Sequence, residues 1–150
     1  MEQKRKIVPP VYLLATLILM ALMHFWMPLA EFVPAPFKYG GAVLVLLGLG
    51  IVAVSARAFD KAETGIVPFE EATVLVTGGF YRFSRNPMYL GMVFLLLGAA
   101  ILFGTVGSLL PIPFFVWIIR NNFILGEERF LAKAFGQQYL DFMSRVRRWL

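Results

Sequence analysis

A chain of 150 residues that is 59% hydrophobic and 15% charged, with a mean hydropathy of +0.75, is far too apolar for a soluble domain of that length and reads as an integral membrane protein. It contains no Cys and a single His, which excludes disulfides, thiolate metal sites, Cys nucleophiles, palmitoylation and His-rich metal centres. The net charge of +5 is accounted for by membrane topology and attraction to anionic lipid, so nothing calls for a nucleic-acid partner.

Three uncharged tracts carry the apolar excess, at residues 8–30, 39–56 and 88–119. The first follows Lys4, Arg5 and Lys6 and has the outline of a secretory signal, but it runs to about twenty residues without a small-residue cleavage site. It is expected to be a retained first helix over residues 9–30. His24, toward its outer end beside Trp26, is expected to make an interhelical or interfacial hydrogen bond and is assigned no catalytic role. The second tract predicts a helix over residues 38–56.

Residues 57–86 then form a connector too long to be idle. Its Phe59, Ile66, Val67, Pro68, Phe69, Val74, Leu75, Val76 and Phe80 are too apolar for disorder, so it is expected to pack back onto the helices as a lid or wall. The third tract is too long for one span, since about 32 helical residues reach about 48 Å across a hydrocarbon core of about 30 Å. It predicts a hairpin of helices at 87–103 and 108–126, broken near Gly104, Thr105, Val106 and Gly107, with Pro111 and Pro113 shaping the returning helix.

The final segment, residues 127–150, repeats apolar residues at helical spacing from Tyr139 through Phe142, Met143, Val146 and Leu150. Gln138, Asp141, Arg145 and Arg148 lie on the other face, which predicts an interfacial amphipathic helix. The fold class is thus an all-α integral membrane domain of four transmembrane helices plus that amphipathic helix, spanning residues 1–150 without internal repeats. With the N-terminus in the cytoplasm, Lys38 alone among the 14 Lys and Arg residues falls outside, so both termini and the polar segments are placed on the cytoplasmic side, in the inner membrane.

The polar chemistry concentrates in two places. Residues 77–91, TGGFYRFSRNPMYLG, set Tyr81, Arg82, Arg85, Asn86 and Tyr89 around Pro87 where a loop enters a span. An Arg at the bilayer centre costs about 2.5–3.5 kcal/mol on insertion scales, so the cluster belongs at the membrane surface or around a polar ligand. The hairpin returns IRNNFILGEERFL to the same depth. On a continuous helix Arg120 and Glu127, seven residues apart, project from nearly one face with Glu128 beside them. Gly91 and Gly98, also seven apart, offer a smooth stripe for a neighbouring helix or a ligand. Physics alone leaves two readings: a ligand pocket, or a solvated salt-bridge ring of Glu127, Glu128, Arg120, Arg82 and Arg85.

The two segments in this order resemble the isoprenylcysteine carboxyl methyltransferase and phospholipid methyltransferase superfamily. Its Gly-x-Tyr-Arg-x-x-Arg-His-Pro-x-Tyr-x-Gly pattern corresponds to Gly79, Tyr81, Arg82, Arg85, Pro87, Tyr89 and Gly91, and its Glu-Glu and Phe-Gly-x-x-Tyr segment to Glu127, Glu128, Leu131, Phe135, Gly136 and Tyr139. The resemblance covers about residues 55–150 and implies an S-adenosylmethionine-dependent membrane methyltransferase with S-adenosylhomocysteine as product. It implies cofactor binding by Gly79, Tyr81, Arg85, Asn86, Pro87, Tyr89, Gly91, Glu127 and Glu128, with Glu128, Arg85 and Asn86 in catalytic roles and no metal. In that picture the two carboxylates face the cationic cofactor or its ribose and amino groups, while Arg85, Asn86 and the two tyrosines orient its carboxylate.

The chain departs from the carboxyl methyltransferase pattern at Asn86, where that pattern has His. Asn keeps a hydrogen-bonding amide but cannot titrate as a base near neutral pH. The expectation therefore moves toward methylation of a lipid amine or another small hydrophobic acceptor entering from the bilayer, a short chain leaving little room for a protein-docking surface. The alternatives are carboxyl methylation of an isoprenylcysteine-like substrate, an NADPH-dependent membrane reductase, and a non-enzymatic membrane scaffold.

Overall fold

A computed structural model describes residues 8–64 and 73–150. Lys4, Arg5 and Lys6, and the loop residues Ile66, Val67, Pro68 and Phe69, lie outside the described residues. The described chain contains the α-helices α1 (Pro9–Trp26), α2 (Gly41–Lys61), α3 (Pro87–Phe103), α4 (Val106–Leu109), α5 (Pro111–Ile119), α6 (Leu125–Phe135) and α7 (Gln137–Arg145). Proline opens α1, α3 and α5 at a position where the missing N–H would have had no partner and the fixed φ already suits a helix.

Pro9–Trp26, Phe37–Lys61 and Val106–Phe135 are long and apolar enough to cross a membrane, and the protein is a multi-pass membrane protein. The fourth apolar helix, α3, has 17 residues. Side chains such as Val43 and Leu46 on α2 are mostly exposed, as lipid-facing positions of a span are.

Helices α2 and α3 run antiparallel at very close range because each presents two glycines seven residues apart. A Cβ added at Gly48 would lie 2.5 Å from the Gly91 carbonyl oxygen, and one at Gly98 would lie 2.6 Å from that of Gly41. The stripe expected on α3 therefore serves a neighbouring helix, and α2 carries its complement. The opposite side of α3 builds the core, where Met92, Leu96 and Ala100 meet Met20 of α1 and Ile112, Phe115 and Ile119 of α5.

At one end of the bundle α1 stops at Trp26, earlier than expected, and residues 27–33 leave the helix to bond the turn after α3. The Phe32 N–H donates to Gly104 O at 2.9 Å, and the Val106 N–H to Ala30 O at 2.8 Å. Gly104 can close α3 because its φ of +73° lies in the left-handed region. His24 hydrogen-bonds Thr105 Oγ1 through Nδ1 at 3.1 Å and stacks on Phe103, so it ties α1 to this turn.

Two differences from the sequence reading matter for the site. Between α5 and α6 the returning helix contains a π turn at Arg120–Ile124, and it runs on to Phe135 instead of stopping near 126. The wider turn breaks the seven-residue register between Arg120 and Glu127. Arg120 and Arg82 are exposed, and the ion pairs among the described residues join Glu128 to Arg85 and to Arg148, so the salt-bridge ring does not form. The terminal helix also ends early: α7 stops at Arg145 and Val146 is extended, with φ −121° and ψ 129°. Its apolar residues Tyr139 and Phe142 are buried against Tyr81 within the chain.

Candidate functional site

The first turn of α3 and the first turn of α6 meet at the end of the bundle opposite the Gly104 turn. Between them, with the 3₁₀ turn Gly79–Arg82, the end of α2, the start of α1 and α7, lies a cavity of about 350 Å³. That is within the size range of small-molecule sites. Its apolar lining includes Pro9, Phe59, Leu75, Met88, Met92 and Phe142, and its polar lining is Tyr81, Arg85, Asn86, Tyr89, Glu127, Glu128 and Tyr139.

The polar wall is an ordered network. Arg148 grips Glu128 with two parallel bonds, Nε to Oε1 at 2.9 Å and Nη2 to Oε2 at 2.8 Å. Arg85 Nη2 reaches the same Oε1 at 3.2 Å. Two guanidiniums therefore face one carboxylate, and Glu128 is compensated within the protein. Glu127 is held differently: Tyr89 Oη donates to its Oε1 at 2.7 Å, and among the described residues no guanidinium pairs with it.

Arg85 is the unusual member. Its side chain is only 9% exposed, and its Nε and Nη1 are buried with no hydrogen-bond partner among the described residues. Buried guanidinium N–H groups left unpaired are costly, and Arg85 is one of the residues that line the cavity, a disposition suited to an anionic ligand group.

The backbone of this wall is pinned from the C-terminal side. The Arg85 N–H donates to Arg147 O at 2.9 Å, and Asn86 Nδ2 donates to Arg148 O at 3.0 Å. Ser84 Oγ donates to Arg148 O at 3.3 Å and accepts from the Asn86 N–H at 3.1 Å. These bonds tie the non-helical tail to the wall through the carbonyls of Arg147 and Arg148.

The phenols are kept protonated. Burial pushes the Tyr139 hydroxyl up to about 12, with the Glu128 charge adding to the effect, and burial with the Glu127 charge raises Tyr81 further still. Both therefore remain neutral hydrogen-bonding groups. The paired bond to Glu128 likewise raises Arg148 and keeps it charged.

Of the residues singled out from sequence, Tyr81, Arg85, Asn86, Tyr89, Glu127 and Glu128 converge on the cavity. Gly79, Pro87 and Gly91 do not line it. Gly79 shapes the 3₁₀ turn with φ +60°, and Pro87 faces an apolar groove with Ile51 and Phe83 on the other side of α3. Gly91 is taken up by its contact with Gly48. Sequence reasoning missed Arg148, which helical spacing assigned to the solvent face of a longer α7. Its signal was Val146, a β-branched residue that favours extended structure.

A multi-pass helical fold whose cavity joins a charged wall to an apolar one defines a membrane protein that can admit a polar and an apolar ligand together. The chain belongs to the phospholipid methyltransferase family, which it matches over residues 37–138. It is 29% identical over 108 residues to a protein-S-isoprenylcysteine O-methyltransferase of Saccharomyces cerevisiae, covering 71% of this chain and 45% of that protein. Protein-S-isoprenylcysteine O-methyltransferase A of Arabidopsis thaliana is also 29% identical, over 71% of this chain and 55% of the relative. The chain thus spans about half the length of these curated relatives. Its fold is like that of a solved eukaryotic intramembrane Ras methyltransferase (isoprenylcysteine carboxyl methyltransferase), with a TM-score of 0.66 at 20% identity over 97% of this chain and 52% of the other.

Proposed function

We propose that the protein is an S-adenosylmethionine-dependent methyltransferase acting on an acceptor dissolved in the membrane. The observation that carries this is the buried Arg85 guanidinium, whose Nε and Nη1 have no hydrogen-bond partner among the described residues, in the lining of the same cavity as Glu127. The cofactor has a carboxylate, hydroxyl and amino groups and an apolar-faced adenine, and the residues present fit it. Among the described residues nothing pairs with Arg85 Nε and Nη1, which leaves its guanidinium able to take the carboxylate, and the Glu127 oxygen not bonded to Tyr89 can take hydroxyl or amino donors.

Glu128 has a different part. With both oxygens engaged by Arg148 it acts as the anchor that aims Arg85. Asn86, whose amide nitrogen is occupied by Arg148 O, holds the strand entering α3 and does not serve as a base. Bound in this cavity, the cofactor supplies an electrophilic methyl group for direct displacement. Holding donor and acceptor in line is worth about 7–11 kcal/mol in favourable cases. The apolar lining from α1, α2 and α7 keeps water from the transfer and accepts the acceptor's hydrocarbon portion.

The relatives named as isoprenylcysteine O-methyltransferases favour a carboxylate on a prenylated acceptor, so carboxyl O-methylation of an isoprenylcysteine-like substrate is the first reading. The family match and Asn86 support a phospholipid amine as the second. We place α3 as a fourth span, with both termini and the cavity on the cytoplasmic side. Purified protein incubated with labelled S-adenosylmethionine and either a farnesylcysteine analogue or total membrane lipid tests the reading. Label entering the organic phase with the first supports carboxyl methylation, with the second a lipid amine. Label found only in water-soluble products contradicts a membrane-dissolved acceptor. Stabilisation by NADPH but not S-adenosylhomocysteine in a thermal-shift comparison contradicts methyl transfer.

A further inference from the structure

We infer that Arg148 is a positioning residue that sets the cofactor's carboxylate site by saturating Glu128, an inference that rests on the proposed methyltransferase reading. Arg148 lies ten residues beyond the family match at 37–138 and nine past the last motif position, Tyr139, in the tail that follows α7. Nevertheless it makes both side-chain hydrogen bonds that Glu128 accepts among the described residues, and its own carbonyl accepts from Asn86 Nδ2 and Ser84 Oγ.

The argument turns on competition for one carboxylate. Glu128 and Arg85 are both nearly buried, with side-chain exposures of 11% and 9%, and a guanidinium beside a buried carboxylate pairs with both of its oxygens where it can. Arg85 does not: it makes a single 3.2 Å contact through Nη2, because Arg148 occupies both oxygens. That leaves Arg85 Nε and Nη1 unpaired. If Arg148 is removed, Glu128 is open to a two-bond pair with Arg85, and the Arg85 guanidinium is drawn toward that carboxylate and away from a ligand in the cavity it lines. The tail therefore acts on the ligand through Arg85 without touching the cavity: Arg148 is absent from the cavity lining, whereas Arg85 and Glu128 belong to it.

The consequence is selective. Loss of Arg148 weakens ligands that carry a carboxylate and spares those that do not. Calorimetric titration of the full chain in detergent with S-adenosylhomocysteine and with 5′-methylthioadenosine, which lacks the amino-acid carboxylate, separates the outcomes. For Arg148→Gln the expected result is about tenfold weaker S-adenosylhomocysteine binding with 5′-methylthioadenosine unchanged, a loss of the size of one charged hydrogen bond. Arg148→Lys, which keeps the charge but cannot span both oxygens, is expected to show the same selectivity with a smaller loss, and it serves if the Gln variant fails to fold. An equal loss for both ligands means that the tail only supports the fold, and no loss for either means that Arg85 is not redirected; each overturns the inference while the methyltransferase reading stands. Failure of the unsubstituted protein to bind either ligand overturns that reading and the inference with it.

Discussion

Tyr89 Oη donates a 2.7 Å hydrogen bond to Glu127 Oε1, joining the first turn of α3 to the first turn of α6 across the mouth of the cavity. The two residues are 38 positions apart, and the bond leaves one Glu127 oxygen unengaged by Tyr89. Tyr89→Phe is expected to cost about 1–3 kcal/mol in stability, the penalty for a half-buried carboxylate losing its donor. Glu127→Gln keeps a partner for the hydroxyl and is expected to leave the fold close to wild type while weakening S-adenosylhomocysteine binding. Thermal unfolding and calorimetry on both variants check this. Unchanged affinity in Glu127→Gln removes Glu127 from the ligand site.

Glu128 is expected to behave in the opposite way. Glu128→Gln leaves Arg85 and Arg148 without their shared counter-charge, and breaking a buried ionic cluster from one side costs about 3–5 kcal/mol. The partial exposure of Arg148 places the expected loss at the lower end of that range. A melting temperature equal to wild type contradicts the role of Glu128 as an anchor.

Asn86 donates to a main-chain carbonyl, so its substitutions sort by their ability to donate. Asn86→His can present a ring N–H to Arg148 O and is expected to retain much of the activity. Asn86→Asp sets an acceptor against an acceptor, and is expected to lower stability by about 1–3 kcal/mol and to weaken cofactor binding. Equal activity of the two variants, measured as methyl transfer per folded protein, contradicts this account.

Gly91 and Gly50 make a matched pair for testing the helix contact. A Cβ at Gly91 lies 2.8 Å from both Gly48 O and Val52 Cγ2, whereas one at Gly50 meets nothing within 4 Å. Gly91→Ala is expected to destabilise by about 1–3 kcal/mol as an overpacked contact. Gly50→Ala is expected to gain up to about 1 kcal/mol from helix propensity. Thermal unfolding in one detergent compares them, and Gly91→Ala melting as wild type contradicts the close α2–α3 approach.

The proposed topology has its own test in reporter fusions placed after Lys38 and after Leu150. They are expected to report opposite sides of the membrane. Agreement between them means an even number of spans between the two points and overturns the placing of α3 as one of three crossings.

What the sequence makes legible is local and periodic. Apolar tract length gives the helices, and motif spacing brings Arg85, Asn86, Tyr89, Glu127 and Glu128 to one cavity. The helix contact was half visible: the spacing of Gly91 and Gly98 stood out, while the matching Gly41 and Gly48 were passed over, although only the pair of stripes explains the close approach. Residues whose conformation depends on distant partners were misread. Arg148 continues a helical pattern on paper, yet its segment is non-helical and tied to the donors at Arg85, Ser84 and Asn86. Nothing in RNNFI announces a π turn, because its cause lies in the packing of buried Phe123 and Ile124 on the core.

That π turn makes the span work like a reading frame. Upstream, α5 presents Phe115 and Ile119 to the core, and downstream α6 presents Glu128 to the arginines, and the two faces are in phase only because the wider turn lies between them. Exchanging one side chain for another within Arg120–Ile124 keeps the frame. A regular α-helix of the same length would swing everything beyond it by about 100° and carry both carboxylates off Arg85 and Tyr89, whereas removing one residue there lets the helix run regularly with the two faces still in phase. The segment is thus where the span absorbs one surplus residue.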